Sequence, residues 1–294
     1  MTSKLFTVIV THNPMQWVDR LHFFLNEEGI LDRTIFIDNG STDNFKIWII
    51  QHKLENQVHF QKRNLGFGAA NNIGISIALE KKAEFILLLN QDAWLLPGSL
   101  RVLIQSMVLN TNYGIISPLH FTKNLDGLGK NFSYYLSNSN TSEYFERKYV
   151  LEKSCHIVDS NFINAAIWLM NTNIIKIVGG FNSIFFHYGE DDEYCQRLKK
   201  YGFKIGVELS AIGIHDRAQR ETNNSFKHKY LHNRITFILD YYNSHRKFAL
   251  ILTLLKLIIN HGCIYEKSRL IRIGIFFKLL SNLSDITKSK ETIK

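Results

Sequence analysis

The chain has 294 residues, is 45% hydrophobic and 21% charged, and carries a formal net charge of +9. That size and apolar content support one large domain, or one domain plus an appendage, and exclude a disordered composition. The three cysteines, Cys155, Cys195 and Cys263, show no paired spacing, which argues against a disulfide framework or a zinc ribbon and suits a reducing cytosol.

The first 120 residues or so alternate between strand and helix patterns. "LFTVIVTHN" reads as a buried strand with a polar end, and nothing before it has the pattern of a secretory signal. "MQWVDRLHFFLNEEG" is a helix stopped by Gly29. "RTIFIDNGS", "VHFQKRN", "EFILLLNQD" and "GIISPLHF" are further strands. "FKIWIIQHKL", the segment after Gly68 with Ala70, Ile73 and Ile77, and the segment after Pro97–Gly98 with Leu100, Leu103, Ile104, Met107 and Val108 are helices. This βαβαβ order predicts an α/β fold with a mostly parallel sheet and helices on both faces. Such sheets bind ligands at the carboxyl ends of their strands, where "THN", "DNGSTD", "KRN" and "NQD" fall.

Residues 121–160 are irregular, rich in Asn, Ser and Tyr, and read as a loop or lid. "NFINAAIWLMN" is a buried segment, with Trp168 assigned to the core. "NIIKIVGGF" is a short helix closed by Gly179 and Gly180. "EDDEYCQRLKKYG" is a helix, and "FKIGVELSAIGIHD" gives one or two short strands. From Asn223 the pattern is helical, so the expected division is 1–222 and 223–294. Residues 241–294 carry ten Lys or Arg against three acids, which suits either an anionic surface or a solvated helical face. The longest apolar run, 248–259, is too short to span a bilayer and contains Lys256.

Read locally, Asp92 at the end of "NQD" suits a divalent cation beside a diphosphate, or an ordinary turn that caps the next helix. "RNLGFGAANNIG" resembles a phosphate loop but lacks both the dinucleotide spacing and the P-loop lysine. In "GEDDEYCQRLKK", acids in the first turn and bases in the last complement the helix dipole, and Glu193 and Arg197 are four apart in the favourable order.

Taken together, "VTHN", "IDNGSTD", "NLGFGAANN", "LLLNQD", "GGFNSIFFHYGEDDEYCQRLKKYGFKIG" and "IHD" resemble, in order and spacing, the GT-A fold glycosyltransferases of family 2, in the branch that builds bacterial surface polysaccharides. The resemblance covers about residues 5–217. It implies a GT-A nucleotide-binding mixed sheet with a helical, basic C-terminal extension. It also implies inverting transfer of a sugar from a nucleotide diphosphate, uridine- or thymidine-linked, to a hydroxyl of a saccharide or polyprenyl-linked acceptor.

Residue by residue, the resemblance places Thr11, Asp38 and Asn39 at the nucleobase and ribose, and Asn64, Gly66 and Asn72 near the ribose and diphosphate. Asp92 and His215 would hold Mn²⁺ or Mg²⁺, with Asn90 standing where the family has a first Asp. Asp191 would be the general base, in a Glu190-Asp191-Asp192-Glu193 version of the usual Glu-Asp-x-Asp. Glu190, Glu193 and His187 would face the acceptor, with Trp94 a further contact on that side. His187 and Tyr188 equally suit packing beneath the helix. A lipid-linked acceptor gives the basic tail a use: residues 241–280 would dock, without spanning, on the inner face of the plasma membrane.

A sugar-1-phosphate nucleotidyltransferase is disfavoured, because "VTHNPMQWVDR" lacks a glycine-rich loop with Arg and Lys. A non-catalytic nucleotide-sugar or membrane-surface module is the alternative outside enzymes, and the presence of Asp92 and Asp191 weighs against it. No nucleic-acid-binding motif accompanies the positive charge.

Overall fold

The computed structural model describes residues 4–137, 157–216, 277 and 281. The expected membrane-docking segment, 241–280, lies outside the described residues except for position 277. The chain divides into two compact units: Met1–Phe181 with Glu190–Arg217, and Asn182–Gly189 with Ala218–Lys294. Among the described residues no helix is long and apolar enough to cross a membrane.

Among the described residues the first unit is built on a nine-stranded mixed sheet. Its first half is parallel: β1 (Leu5–Thr11) lies between β2 (Thr34–Asp38) and β4 (Phe85–Leu89), and β3 (Val58–Phe60) pairs with β2. The registers Thr11↔Asp38 and Asp38↔Phe60 bring these strand ends to one edge. The sheet then turns mixed. β8 (Ile167–Asn171) runs antiparallel between β4 and β6 (Tyr113–Phe121), and β9 (Lys204–His215) runs parallel to β6. Two short strands, β5 (Ala93–Leu95) and β7 (Ile157–Asp159), pair antiparallel with β9.

The apolar runs of the strands are split between two cores by the two-residue alternation of a pleated strand. Leu5 and Ile9 of β1, Leu87 and Leu89 of β4, and Ile167 and Leu169 of β8 face one core. Val8, Ile86, Leu88, Trp168 and Met170 face the other. The first core is closed by α1 (Val18–Glu27), α2 (Phe45–Gln51) and α4 (Ser99–Leu109). The second is closed by α3 (Phe67–Glu80), α5 (Lys130–Ser137), α6 (Thr172–Val178) and α7 (Glu190–Lys200). In α1 the buried Val18, Leu21, Phe24 and Leu25 recur at helical spacing. The helix ends as expected at Gly29, whose φ is 62°.

Three readings of the sequence change here. The presumed loop at 121–160 contains helix α5 and strand β7. "FKIGVELSAIGIHD" is one continuous strand of twelve residues. The buried segment with Trp168 is an antiparallel strand, so the parallel order ends at β4. Trp168 is a core residue, as expected, with no solvent exposure.

Helix α3 lies so close to β1 that a Cβ at Gly74 would sit 2.3 Å from Cγ1 of Val8. Helix propensity alone predicts that Gly74→Ala stabilises by about 1 kcal/mol. Overpacking against a rotamer-restricted valine costs about 1–3 kcal/mol, so the collision wins. Gly74→Ala is therefore expected to lower the denaturant midpoint, and Val8→Ala in the same chain to recover part of it.

Candidate active site at the carboxyl edge of the sheet

β1 and β2 end in the polar residues Thr11 and Asp38, and polar side chains from the loops that follow the parallel strands bond them together. Thr11 Oγ1 donates to Asp38 Oδ1 at 3.3 Å, and Asn39 N–H donates to Thr11 O at 2.7 Å. Asp38 also accepts from the Ser41 hydroxyl and from Ser41 N–H. The Asn39 amide donates to Asn64 Oδ1 at 3.0 Å and accepts from Leu65 N–H at 2.8 Å. Asn64 Oδ1 also accepts from Gly66 N–H at 2.8 Å. Thr11, Asp38, Asn39, Asn64 and Gly66 thus form one bonded cluster, with Thr11, Asp38 and Asn39 buried. Asn13 joins it, taking Thr42 N–H on its Oδ1 at 2.8 Å.

The fourth strand end is tied in by Gln91. Its amide accepts from His12 N–H at 2.7 Å and donates to His12 O at 3.2 Å. The chain then enters β5, whose register sets Ala93 against His215. Asp216 N–H donates to Asp92 O at 2.8 Å. His215 Nε2 consequently lies 3.4 Å from Asp92 Oδ1, with both side chains largely buried. Among the described residues no group of three or more His, Cys, Asp or Glu could hold a metal. A carboxylate and an imidazole held together fit a divalent cation that takes its other ligands from a diphosphate and water. Asn90 is a neutral neighbour in this loop.

Helix α7 carries the four acids in its first turn and Arg197, Lys199 and Lys200 in its last. Glu190 is 4% exposed, and its Oε2 has no hydrogen-bond partner among the described residues. Burial, with the Asp191 charge next to it, pushes its carboxyl up to about 8. Asp191 is partly exposed. Burial pushes its carboxyl up to about 6, against the lowering effect of the Asp192 N–H, which donates to Asp191 Oδ1 at 2.9 Å. At neutral pH Asp191 is therefore mostly ionised and Glu190 mostly protonated, so the adjacent pair holds about one negative charge.

Two expected assignments acquire different partners. Glu193 is buried and both its oxygens are taken by Arg197, from Nε at 2.8 Å and Nη2 at 2.9 Å. It stabilises the helix and does not offer a free carboxylate to an acceptor. The Asn72 amide is occupied in both directions by the Phe181 backbone. Trp94 is 7% exposed within the first core and is covered by Arg20, whose guanidinium carbon is 5.1 Å from the ring centroid.

His187 falls in the 182–189 segment, which belongs to the second unit. There its ring packs at 4.0 Å, centroid to centroid, on Tyr188, whose φ is 69°. Sequence reasoning passed over Gln91, Asn13 and Ser41, and it saw Arg197 only as the helical partner of Glu193. The signal for Gln91 and Asn13 was present, since both lie inside the strand-end motifs.

The acidic turn makes stability depend on pH. Burial keeps Glu190 protonated in the folded chain, so its contribution is complete below its ordinary value of 4.5 and is lost as pH rises through about 8. Denaturant melts of the wild type and Glu190→Gln are expected to diverge between about pH 5 and about pH 9, with the wild type losing more.

The family model for "Glycosyl transferase family 2" matches residues 7–163. The chain is 28% identical over 212 residues to dTDP-rhamnosyl transferase RfbF of Shigella flexneri, covering 70% of this chain and 67% of that one. It is 24% identical over 269 residues to an N-acetylglucosaminyl-diphospho-decaprenol L-rhamnosyltransferase of Mycobacterium tuberculosis, covering 81% and 84%. The solved structure of GalNAc-T7 with UDP, GalNAc and Mn2+ superposes with a TM-score of 0.57 at 13% identity, over 96% of this chain and 57% of that one. The likeness in structure gives the GT-A fold alone, and the family match goes further: this chain belongs to glycosyl transferase family 2.

Proposed function

We propose that the chain is an inverting, metal-dependent glycosyltransferase. It moves a rhamnosyl or hexosyl group from a nucleotide-diphosphate donor to a hydroxyl of a saccharide or lipid-linked saccharide, in bacterial surface-polysaccharide synthesis. The observation that carries this reading is the pairing of Asp92 with His215 at 3.4 Å on the strand edge where Thr11, Asp38 and Asn39 are bonded together.

In this reading Thr11, Asp38 and Asn39 line the nucleobase and ribose pocket, and Asn64 and Gly66 lie toward the ribose and diphosphate. Asp92 and His215 would hold Mn²⁺ or Mg²⁺, which supplies positive charge against the diphosphate oxygens. Asp191 takes the proton from the acceptor hydroxyl. The freed oxygen bonds to the anomeric carbon on the face opposite the leaving group as the bond to the diphosphate oxygen breaks. The diphosphate leaves as an anion, so a separate general acid is unnecessary. A carboxyl raised to about 6 suits the base, since it is still ionised at neutral pH yet holds a proton more firmly than an ordinary Asp. Glu190, mostly protonated, can donate to the acceptor without repelling Asp191.

Two relatives support the donor and acceptor classes by name: one is a dTDP-rhamnosyl transferase, and the other carries diphospho-decaprenol in its name. A uridine- or thymidine-linked sugar is the proposed donor. A membrane-held acceptor fits peripheral attachment at the inner face of the plasma membrane through residues 241–280.

The test is release of nucleotide diphosphate from a panel of nucleotide-sugars with Mn²⁺ or Mg²⁺. Wild-type turnover should rise with pH through about 6 as Asp191 ionises. Asp191→Asn should lower kcat by roughly 10²–10⁴-fold, and Asp92→Asn or EDTA should abolish release. Full turnover by Asp191→Asn would remove it from the role of base. On anionic liposomes the full chain should float, and removal of 241–280 should abolish flotation; equal recovery would exclude this segment as the anchor.

A further inference from the structure

We propose that Asn72 is a positioning residue of the transfer reaction: through the Phe181 peptide group it fixes the first turn of α7, and so Asp191, against the start of α3. The inference rests on the reading of Asp191 as the base. It gives Asn72 a different role from a nucleotide contact.

The Asn72 amide makes a closed pair with one residue of backbone. Nδ2 donates to Phe181 O at 2.8 Å, and Oδ1 accepts from Phe181 N–H at 2.7 Å. The pairing copies one rung of an antiparallel ladder, which requires a side chain that both donates and accepts. The contact is close enough to dictate its neighbour: a Cβ at Gly180 would lie 2.5 Å from Asn72 Oδ1. A diphosphate that drew the amide away would leave the Phe181 backbone groups without these partners.

The loop that Asn72 grips from α3 is gripped from α7 by Arg197. The Arg197 guanidinium donates to Val178 O and, at 2.7 Å, to Gly180 O. Glu193 fixes the same guanidinium by its two-pronged ion pair and neutralises it in its buried site. The helix starts also meet directly. A Cβ at Gly68, in the first turn of α3, would lie 3.0 Å from Phe181 Cβ and 3.4 Å from Glu190 Cβ. Phe181 is the last residue of the first unit before the 182–189 segment, and Glu190 is the first after it. Asn72 and Gly68 therefore set where the chain leaves this unit and where it returns, one residue before Asp191. A base displaced by about 1 Å can lose on the order of 100-fold in rate without loss of substrate binding.

The experiment uses the full chain. Asn72→Asp keeps the shape and the acceptor, removes the donor and sets an anion against Phe181 O. It is expected to lower kcat on the order of 100-fold, leave nucleotide affinity by calorimetry unchanged, and speed amide exchange at 178–181 and 190–193. Gly180→Ala should reproduce the loss, because its Cβ displaces the amide. Combined with Asn72→Ser it should cost nothing further, because the colliding atoms are gone.

Weakened nucleotide binding with kcat retained would overturn the proposal and make Asn72 a donor contact. Additive losses in the double variant would overturn it as well. A wild type silent on every donor defeats the functional reading instead. The exchange measurement then decides the contact separately: unchanged exchange in Asn72→Asp removes the clamp, and faster exchange retains it.

Discussion

At the carboxyl edge of the parallel strands, backbone N–H and C=O groups run out of ladder partners, and every such group that is buried needs another. Side chains meet that need here. Gln91 pairs with the His12 backbone, Asn39 takes Leu65 N–H, Asn13 takes Thr42 N–H, and Asn72 pairs with Phe181. The first three fasten the strand ends to their neighbours, and the last fastens α3 to the chain at Phe181. The polar residues of this edge are thus fastened to neighbouring loops by hydrogen bonds.

The acidic turn works on the opposite logic. Burial of Glu190 and Asp191 raises both carboxyls. Glu193 sits one turn along the same helix but meets Arg197, and its charge is spent on structure. Asp192 accepts from the Gln196 amide at 2.8 Å. Four acids adjacent in sequence thus have four environments. Helix geometry separates them by about 100° per residue, and each meets a different part of the molecule.

Much of this was legible in the residues. The alternation of apolar runs with helical stripes gave the sheet's first half, since the period of two or 3.6 is a local property. The strand-end motifs located the edge, and the acids in order placed the start of α7. What local pattern could not carry was pairing. Strand β8 is antiparallel and β5 leaves its neighbours for β9, and both facts depend on which distant strand is adjacent. The same limit applies to Asn72 and Glu193. A polar side chain looks alike in sequence whether it meets a ligand or a backbone, and only the fold assigns its partner.

The register of β5 on β9 has a consequence for synthesis of the chain. Asp92 is made early, but His215 belongs to the last of the nine strands in chain order. A ribosome-bound chain that has already assembled β1, β2 and β4 holds Thr11, Asp38 and Asp92 without the imidazole that pairs with Asp92. Non-local pairing of this kind forms late, after loop closure over most of the unit's length. The Asp92–His215 pair is thereby missing until the sheet is whole, so a half-made chain lacks a contact that ties the first strand ends to the last strand.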